Sequence, residues 1–356
     1  MLVEENKLLA PFTTLGIGGP ARWFVEAASE DEIVEATGWA RERGLALFVL
    51  GGGSNLLVSD AGFDGLVVRV QVRGVSVEET SAGSQGSLQR VYSVAAGEDW
   101  DSFVQRAVED SSAGVECLAG IPGTVGGTPV QNVGAYGQEV GTVIERVRAF
   151  DLTDRVFVEL SAEECGFAYR RSRFNSEDRG RFIVSRVGYR LLPGGAPTLR
   201  YGDVREAMAP SLVGGQQPTL AEVAAAVRRI RRAKGMLLVD ADPDCRSAGS
   251  FFKNPVVSEA HFRRITESSP APPPSFLAGP GLVKMPAAWL IEQAGFSKGY
   301  TRGAAGISSR HTLALVNKGG ASSLEMMELA DQIKEKIETK FGIPLEMEPV
   351  MVGFES

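Results

Sequence analysis

The sequence contains few of the residues that build metal sites or disulfide frameworks. It has only two histidines, His261 and His311, which argues against a multi-histidine metal centre. Its three cysteines, Cys117, Cys165 and Cys245, stand far apart and show no CxxC spacing. We therefore expect buried, reduced thiols rather than a disulfide framework, a zinc site or a redox pair.

The sequence also lacks an excess of positive charge and long apolar runs. The formal net charge is -7, so no overall positive field attracts nucleic acid or anionic lipid. No run of eighteen apolar residues occurs, and the first residues, MLVEENKLLAPFTT, lack the basic leader and apolar core of a signal peptide. We expect a cytoplasmic monomer that binds neither membrane nor nucleic acid and that holds anionic ligands through local groups.

Hydrophobic patterning predicts an α+β chain of two or three domains, since 356 residues with 44% hydrophobic content can form several cores. Capping and periodicity predict helices at about 30–43, 99–110, 219–234, 286–295 and 322–341. The last helix should pack on a sheet through one apolar face, formed by Met326, Leu329, Ala330, Ile333 and Ile337. Turn and loop composition predicts a turn at 81–87, a linker at 211–218 and a proline-rich surface loop at 268–280.

Two glycine-rich segments suggest a nucleotide site. The first, GGGSN at 51–55, follows a predicted strand, so its main-chain amides can approach an anion closely, although a simple tight turn is the alternative. The second, GIPGTVGGTPVQNVGAYG at 120–137, is too apolar for a disordered linker and suits ordered main chain around a flavin or another nucleotide. The GxGxxA match at 16–21 precedes a strand rather than a helix, which argues against a Rossmann loop.

Two further segments concentrate polar side chains. YRRSRFN at 169–175 contains Arg170, Arg171 and Arg173, each of which is either a solvated residue or a fork for a carboxylate or phosphate. SAGSFFKNP at 247–255 places Ser250 far in sequence from either histidine, which favours a role other than that of a hydrolytic nucleophile.

Two charged segments in the C-terminal half of the chain have both a structural and a functional interpretation. LEMEPV at 345–350 would place Glu346 and Glu348 on one face of a short strand, where carboxylates are commonly solvated. RRIRRAK at 228–234 is typical of a hydrated helix face, but Lys234 at its end can reach a phosphate.

Taken in order, GGGSN, IPGTVGGTPVQNVGAYG, FAYR, SAGSFFKNP and LEMEPV resemble the UDP-N-acetylenolpyruvoylglucosamine reductase family of peptidoglycan precursor synthesis. The similarity runs from TTLGIGGPA at 13–21 to Val350. It implies three domains. Residues 1–71 and 72–205 would form a FAD-binding module of the vanillyl-alcohol-oxidase type, and 206–356 would bind the substrate. It also implies FAD, NADPH as co-substrate, and reduction of UDP-N-acetylglucosamine enolpyruvate to UDP-N-acetylmuramate. Neither histidine lies in the two glycine-rich segments, which argues against a histidyl link, so we expect non-covalent FAD.

The resemblance assigns roles to individual residues. Arg170 and Glu348 would activate the substrate, and Ser250 would donate a proton. The residues implied for FAD are Gly52, Gly53, Ser54, Asn55, Pro122, Gly123, Gly127 and Thr128. Those implied for the UDP-sugar are Tyr136, Lys234, Asn254, Lys298 and His311, together with Tyr201 in YGDV, which matches the subclass with an extra tyrosine-bearing loop over the uridine. The family's C-terminal motif usually reads LEPEV, whereas this chain has LEMEP, so Glu346 is the alternative to Glu348.

Two other functions remain open at this point. A flavin-dependent alcohol or phenol oxidase built on the same module would leave Ser250, Glu348 and the tyrosine-bearing loop without a role. A UDP-sugar-binding module without flavin is the second alternative, and a colourless chain that cannot be reconstituted with FAD would favour it.

Overall fold

A computed structural model of the chain describes residues 1–82, 87–213 and 215–354. The strands are β1 (Glu4–Leu8), β2 (Pro20–Ala27), β3 (Ala46–Leu50), β4 (Leu56–Val58), β5 (Phe63–Val70), β6 (Val75–Ala82), β7 (Ser87–Ala95), β8 (Ser112–Ala113), β9 (Gly134–Ala135), β10 (Gln138–Glu139), β11 (Ile144–Asp151), β12 (Val156–Ser161), β13 (Phe182–Pro193), β14 (Val256–Ser258), β15 (Phe276–Leu277), β16 (Leu282–Lys284), β17 (Thr301–Arg302), β18 (Ala305–Ile307), β19 (Leu315–Asn317) and β20 (Val350–Val352). The α-helices are α1 (Glu30–Glu42), α2 (Trp100–Glu109), α3 (Gly202–Val213), α4 (Leu220–Ala233), α5 (Glu259–Glu267), α6 (Ala287–Gln293) and α7 (Ser323–Phe341).

The chain divides into two compact units. The first unit contains residues 1–7, 21–53 and 64–232, and the second contains 8–20, 54–63 and 233–356. The predicted α+β class is confirmed by this mixture of helices and sheets. The three predicted domains stay a prediction.

Two sheets form the frame of the first unit. One has the strand order β1-β2-β5-β3, with β3 and β5 parallel from Ala46 opposite Gly65 to Leu50 opposite Arg69. The other is antiparallel, with the order β12-β11-β13-β7-β6 and with β8 paired to β13. The core of this unit includes an aromatic cluster in which Phe103 lies 4.9 Å from Tyr189 and Trp100 lies 5.7 Å from both rings, measured between ring centroids.

Small sheets and the helices α5, α6 and α7 form most of the second unit. Its sheets are β14-β16-β15, β17-β18-β19 and the parallel pair β20-β4. The predicted apolar face of α7 is confirmed, because Met326, Leu329, Ala330, Ile333 and Ile337 are all buried in the core of this unit. Helix α7 packs against β18.

Helix caps predicted from sequence are present. Ser29 accepts a hydrogen bond from Glu32 N at 3.2 Å at the start of α1, and Thr219 accepts one from Glu222 N at 3.2 Å at the start of α4. Ser322 and Glu325 form the reciprocal capping box of α7. These caps form because their side-chain oxygens accept hydrogen bonds from amide groups that the first helical turn leaves unpaired.

Several expectations are wrong or only partly right. The linker expected at 211–218 begins inside α3, which continues to Val213 through Pro210. The loop at 268–280 contains the short strand β15, and helices α3 and α5 were not predicted. Instead of the strand expected at 345–350, Met347 forms an isolated bridge and β20 begins at Val350, because Pro349 has no amide hydrogen to donate. The turn expected at 81–87 falls largely on residues 83–86, which lie outside the described residues.

The three cysteines are buried and unbridged, as predicted. Burial raises the pKa of the Cys117 and Cys165 thiols to about 12, which makes both poor nucleophiles. In the described parts of the chain, no helix combines the length and apolar character needed to cross a membrane.

Candidate functional site

The two glycine-rich loops contact each other through their main chains in the first unit. Gly51, Gly52 and Gly53 follow β3, and Gly53 has a left-handed φ of 63°. A Cβ atom on Gly52 would lie 2.5 Å from the Cα of Gly123 and 2.8 Å from the amide nitrogen of Thr124. Only glycine allows this approach, so this segment is a point of loop-to-loop contact.

Hydrogen bonds from the main chain fix the second glycine-rich loop. Val125 N donates to Glu98 O at 2.9 Å, and Gly126 N donates to Ala96 O at 2.9 Å. The loop is therefore ordered main chain, as its composition predicted.

Thr128 joins this loop to the aromatic cluster of the core. Its side chain is buried, and its hydroxyl lies 2.8 Å from Val125 O and 2.6 Å from the Tyr189 hydroxyl. Its amide donates to Val125 O at 3.0 Å. These contacts give Thr128 a structural role in the loop, and its predicted contact with FAD stays a prediction.

The loop surface suits a group that must approach main chain closely. Gly127 is exposed, and a Cβ there would find no atom within 4 Å, while Pro122 and Gly123 are half-buried. Main chain without side chains is what a flat ring and a pyrophosphate require of a cradle. The residues of the first unit therefore fit FAD.

Arg170 lies at the tip of a tight turn. Ala168 and Arg171 exchange main-chain hydrogen bonds, with Ala168 N to Arg171 O at 2.9 Å and Arg171 N to Ala168 O at 3.0 Å. Arg170 has a φ of 54° and is half-buried, and Asn175 Nδ2 donates to its carbonyl at 3.2 Å. A non-glycine residue at positive φ needs such support from its surroundings.

Two hydrogen bonds attach this turn to the second glycine-rich loop. Asn132 Nδ2 donates to Ala168 O at 2.9 Å, and Ser172 Oγ donates to Val130 O at 2.7 Å. The position of Arg170 is thus fixed relative to the loop proposed to hold the cofactor.

The neighbouring arginines have acidic partners in their own segment. Arg171 pairs with Glu177, and Arg173 pairs with Asp178 at 2.6 Å. Both contacts are typical of structural arginines, and the role of Arg170 stays a prediction.

Tyr136 and Tyr201, both predicted to contact the UDP-sugar, meet in the first unit. Their ring centroids are 5.3 Å apart and the rings are nearly perpendicular, at 87°. Tyr136 is buried at the tip of the β9-β10 hairpin, with a φ of 50°, and Tyr201 is more exposed.

One residue of the predicted basic helix face is buried, which corrects that expectation. Arg231 is buried, and its Nε donates to Gly120 O at 3.0 Å. Burial lowers the pKa of the Arg231 guanidinium, and the Tyr136 hydroxyl and the Asp101 carboxylate oppose that effect. Periodicity alone could not find this residue, because an arginine in a basic run normally indicates solvent exposure.

Ser250 and Glu348 lie on neighbouring segments of the second unit. Phe252 and Met347 form an antiparallel bridge, and Glu348 N donates to Phe251 O at 2.9 Å. Ser250 is therefore one residue from the position directly opposite Glu348, and both residues are half-buried. The structure brings together two of the three predicted catalytic residues within this unit.

Glu346 has a different environment from Glu348. Its side chain is 74% exposed and forms an ion pair of 2.9 Å with Lys253 Nζ. Such a pair is mostly solvated, which favours Glu348 over Glu346 as the functional carboxylate.

Ser54 and Asn55 fall in the second unit, where Asn55 supports the segment of Glu348. Asn55 Nδ2 donates to Glu348 O at 3.0 Å, and Val350 N donates to Asn55 O at 2.9 Å. Ser54 is half-buried. Both bonds continue into the parallel pairing of β4 with β20.

Three predicted UDP-sugar residues form a basic cluster. Burial and then the positive charges of Lys234 and Lys298 lower the pKa of His311 to about 4. His311 is therefore neutral at pH 7, beside two ammonium groups contributed by distant parts of the sequence. Such a cluster can hold a diphosphate.

Asn254 contacts the start of a helix. Its Oδ1 accepts a hydrogen bond of 2.9 Å from Ala287 N, the first residue of α6. The predicted contact of Asn254 with the UDP-sugar stays a prediction beside this capping role.

Sequence reasoning missed Asp244, which organises the loop before His311. Its buried carboxylate accepts hydrogen bonds from Ser309 Oγ at 2.6 Å and Lys318 Nζ at 3.0 Å, and it also pairs with Arg310. Burial alone would raise the pKa of Asp244, but these hydrogen bonds outweigh it and hold the pKa at about 2. No local signal indicates this residue, because its partners lie more than sixty positions away.

Comparison with known proteins identifies family models for both halves of the chain and relatives along nearly its whole length. Residues 21–156 match the family model described as FAD binding domain, and 242–352 match that of the UDP-N-acetylenolpyruvoylglucosamine reductase C-terminal domain. The protein of that reductase name from Thermobifida fusca is 46% identical, with 98% of each chain covered. The one from Streptomyces coelicolor is 42% identical, with coverage of 97% of this chain and 89% of the relative.

A solved structure extends the similarity to the fold. The crystal structure of UDP-N-acetylenolpyruvylglucosamine reductase from Thermus caldophilus superimposes with a TM-score of 0.65 at 28% identity, and 99% of each chain is covered. Because relatives more than 40% identical cover nearly the whole length, the chain belongs to the UDP-N-acetylenolpyruvoylglucosamine reductase family.

Proposed function

We propose that this chain uses NADPH and FAD to reduce UDP-N-acetylglucosamine enolpyruvate to UDP-N-acetylmuramate, a precursor of peptidoglycan. The observation that carries the proposal is its membership of the reductase family along nearly the whole chain. The main-chain cradle of the first unit and the basic cluster of the second suit the cofactor and the substrate diphosphate, respectively.

The reaction makes two demands on the protein. FAD, when bound, supplies two-electron transfer between NADPH and the substrate. Reduction of the enol ether adds a hydride to the methylene carbon and moves an electron pair toward the carbon that bears the carboxylate. The chain must stabilise this negative charge and deliver one proton to that carbon.

Three residues would meet these demands. The guanidinium of Arg170 would bind the substrate carboxylate, for which its planar fork is suited. Glu348, in its protonated form, would donate a hydrogen bond to the same group. Ser250 would give its hydroxyl proton to the carbon, and the strong basicity of the enolate makes this transfer from a weak acid feasible. The antiparallel contact between the segments of Ser250 and Glu348 supports their joint role.

The remaining predicted residues would bind the two nucleotides. For FAD we retain Gly52, Gly53, Ser54, Asn55, Pro122, Gly123, Gly127 and Thr128. For the UDP-sugar, Lys234, Lys298 and His311 would hold the diphosphate, Tyr136 and Tyr201 would contact the uridine end, and Asn254 would add a hydrogen bond. The charges of Lys234 and Lys298 both lower the pKa of His311, and this supports grouping the three residues.

The visible absorption spectrum under anaerobic conditions tests the function. NADPH should bleach the flavin bands, and UDP-N-acetylglucosamine enolpyruvate should restore them. UDP-N-acetylglucosamine, which lacks the enolpyruvyl group, is the matched control and should leave the bands bleached. Bleaching by an alcohol with recovery by oxygen would instead identify an oxidase, and a chain that takes up no FAD would identify a binding module.

We also propose a cytoplasmic monomer that binds neither nucleic acid nor membrane. The net charge of -7 supports this setting. Light scattering coupled to gel filtration tests the oligomeric state, for which a mass near 37.9 kDa is expected.

A further inference from the structure

We infer that Glu116 is a positioning residue that holds Tyr201 against Tyr136 and so sets the affinity for the UDP-sugar. The inference rests on the proposed contact of these two tyrosines with the substrate. Glu116 lies in neither glycine-rich loop, and no role in the chemistry requires it. Its side chain is nevertheless completely buried in the first unit.

The buried carboxylate joins three segments through hydrogen bonds. Its Oε2 accepts from Gly114 N at 2.8 Å, and its Oε1 accepts from Gln138 Nε2 at 2.8 Å and from Thr198 N at 2.8 Å. A buried carboxylate must be hydrogen-bonded to offset its lost hydration, so these three donors are firmly held.

Gln138 adds a second connection between the same segments. Its Nε2 also donates to Thr198 Oγ1 at 3.1 Å, and its Oε1 accepts from Cys117 N at 2.7 Å. Glu116 and Gln138 thus fasten the β9-β10 hairpin to the segment around Thr198.

The β9-β10 hairpin and the segment around Thr198 each contain one of the two tyrosines. Tyr136 lies at the hairpin tip, two residues before Gln138, and Tyr201 lies three residues after Thr198. Between them, a Cβ on Gly137 would lie 3.1 Å from the Cβ of Arg200, so hairpin and segment are in close contact along their length. At one end of this contact, the ring of Tyr136 packs perpendicular to the ring of Tyr201.

Loss of the Glu116 contacts should change the affinity for the substrate and leave the chemical step unchanged. Tyr201 is 38% exposed and follows directly on the segment that Glu116 and Gln138 bind at Thr198, so a shift of that segment moves Tyr201. Weakening the Glu116 contacts would let Tyr201 leave Tyr136. The substrate would then have to order this tyrosine on binding, which raises KM while the chemical groups stay in place.

Glu116→Gln tests the inference, because it keeps the side-chain size but replaces one acceptor oxygen with an NH2 donor. That NH2 group would face either the amide donor of Gly114 or the donors of Gln138 and Thr198, so hydrogen bonds are lost on one side. We expect KM for the enolpyruvyl substrate to rise about tenfold, with kcat and the rate of flavin reduction by NADPH within about twofold of wild type. The same KM from Glu116→Gln as from wild type would overturn the inference.

A double-mutant cycle separates positioning from general structure. If Glu116 acts through the tyrosine, Glu116→Gln should change KM little in a Tyr201→Ala background, whereas independent effects would multiply. Multiplied effects would contradict the inference. Asp151→Asn is the matched control, since Asp151 is also a buried carboxylate of this unit, hydrogen-bonded to Arg181 and to local amides, and it should leave KM unchanged.

A milder variant covers the case in which Glu116→Gln does not fold. Thr198→Val removes only the hydroxyl that accepts from Gln138 and keeps the Thr198 amide bond to Glu116. It should raise KM about two- to threefold and lose this effect in the Tyr201→Ala background; an unchanged KM would overturn the inference. Failure of the proposed function would look different, because wild type itself would then not reduce the enolpyruvyl substrate.

Discussion

Asn132, in the second glycine-rich loop, donates a hydrogen bond of 2.9 Å to the carbonyl of Ala168, which closes the turn that carries Arg170. Its side chain also donates to Glu139 at 3.1 Å and accepts from Gly141 N at 2.9 Å. Asn132 has a positive φ of 45°, which asparagine tolerates better than most residues. One buried amide group thus links the loop proposed for the cofactor to the arginine proposed for the substrate.

Asn132→Gly should slow substrate reduction by about 10- to 100-fold, because it frees the turn of Arg170 while keeping a residue that accepts positive φ. Stopped-flow measurement of flavin reoxidation by the substrate checks the rate. Asn6→Gly is the matched control, since Asn6 is an exposed asparagine with a φ of 54°. A wild-type rate for Asn132→Gly would show that Arg170 does not depend on this link.

Local signals predicted much of the fold but not the contacts that make the site. The caps of α1, α4 and α7 were predictable because each depends on residues within one helical turn. The choice of Arg170 over Arg171 and Arg173 was not predictable from the residues alone, since all three have the same chemistry. The folded segment adds that Arg171 pairs with Glu177 and Arg173 with Asp178, and the role of Arg170 stays a prediction.

Buried polar residues were the hardest to predict. Glu116, Arg231 and Asp244 are charged, and charged residues are mostly exposed, so a sequence pattern favours the surface. Each has partners from distant segments, which no local pattern reports. The strand expected around Glu348 failed for a different reason, because Pro349 interrupts the pairing that a period of two would suggest.

Ser250→Ala should separate the two halves of the reaction. NADPH should still reduce the flavin at the wild-type rate, because Ser250 has no role in that step. Reduction of the enolpyruvyl substrate should fall by about 10² to 10⁴, the usual cost of removing a general acid. Single-turnover spectroscopy of each half measures both rates, and normal turnover by Ser250→Ala would remove the proton-donor role.

Glu348→Gln and Glu346→Gln form a matched pair that tests which carboxyl group acts. Loss of a group that donates to the developing charge should lower kcat by about 10² for Glu348→Gln. Glu346→Gln should change kcat less than twofold, since this side chain is 74% exposed and paired with Lys253. The reverse order of effects would assign the role to Glu346.

The charge of Lys298 should be visible at His311. Burial and the charges of Lys234 and Lys298 lower the pKa of His311 to about 4, so Lys298→Met should raise that pKa. Bound UDP should raise it too, because its diphosphate offsets the same positive charges. An NMR titration of imidazole nitrogens measures both shifts, and His261→Gln assigns the signals, since the chain has two histidines. An unchanged pKa with UDP would place the diphosphate elsewhere.

His311 should also contribute to the pH dependence of stability. Its pKa is about 4 in the folded chain and about 6.5 when unfolded, so the unfolded state binds more protons between these values. The free energy of unfolding should therefore fall as pH decreases from about 6.5 to 4, by up to about 3 kcal/mol from this residue. His311→Gln should show a shallower decline in urea unfolding over that range. An equal decline in both proteins would contradict the assignment.

Asp244→Asn should be among the more destabilising single substitutions in the second unit. It removes the charge from a buried carboxylate that binds Arg310 and Lys318, and it weakens the pairing of Lys318 while Arg310 keeps its pair with Asp242. Breaking a buried ion pair costs about 3 to 5 kcal/mol, whereas an exposed pair contributes less than about 1 kcal/mol. Urea unfolding of Asp244→Asn should therefore show a loss of about 3 kcal/mol. The control Lys253→Met, which breaks the exposed pair with Glu346, should lose less than about 1 kcal/mol.

Asp244→Asn should also weaken UDP binding, because the same carboxylate binds Ser309, two residues before His311. A variant that lost stability but bound UDP normally would show that other contacts hold the loop of His311.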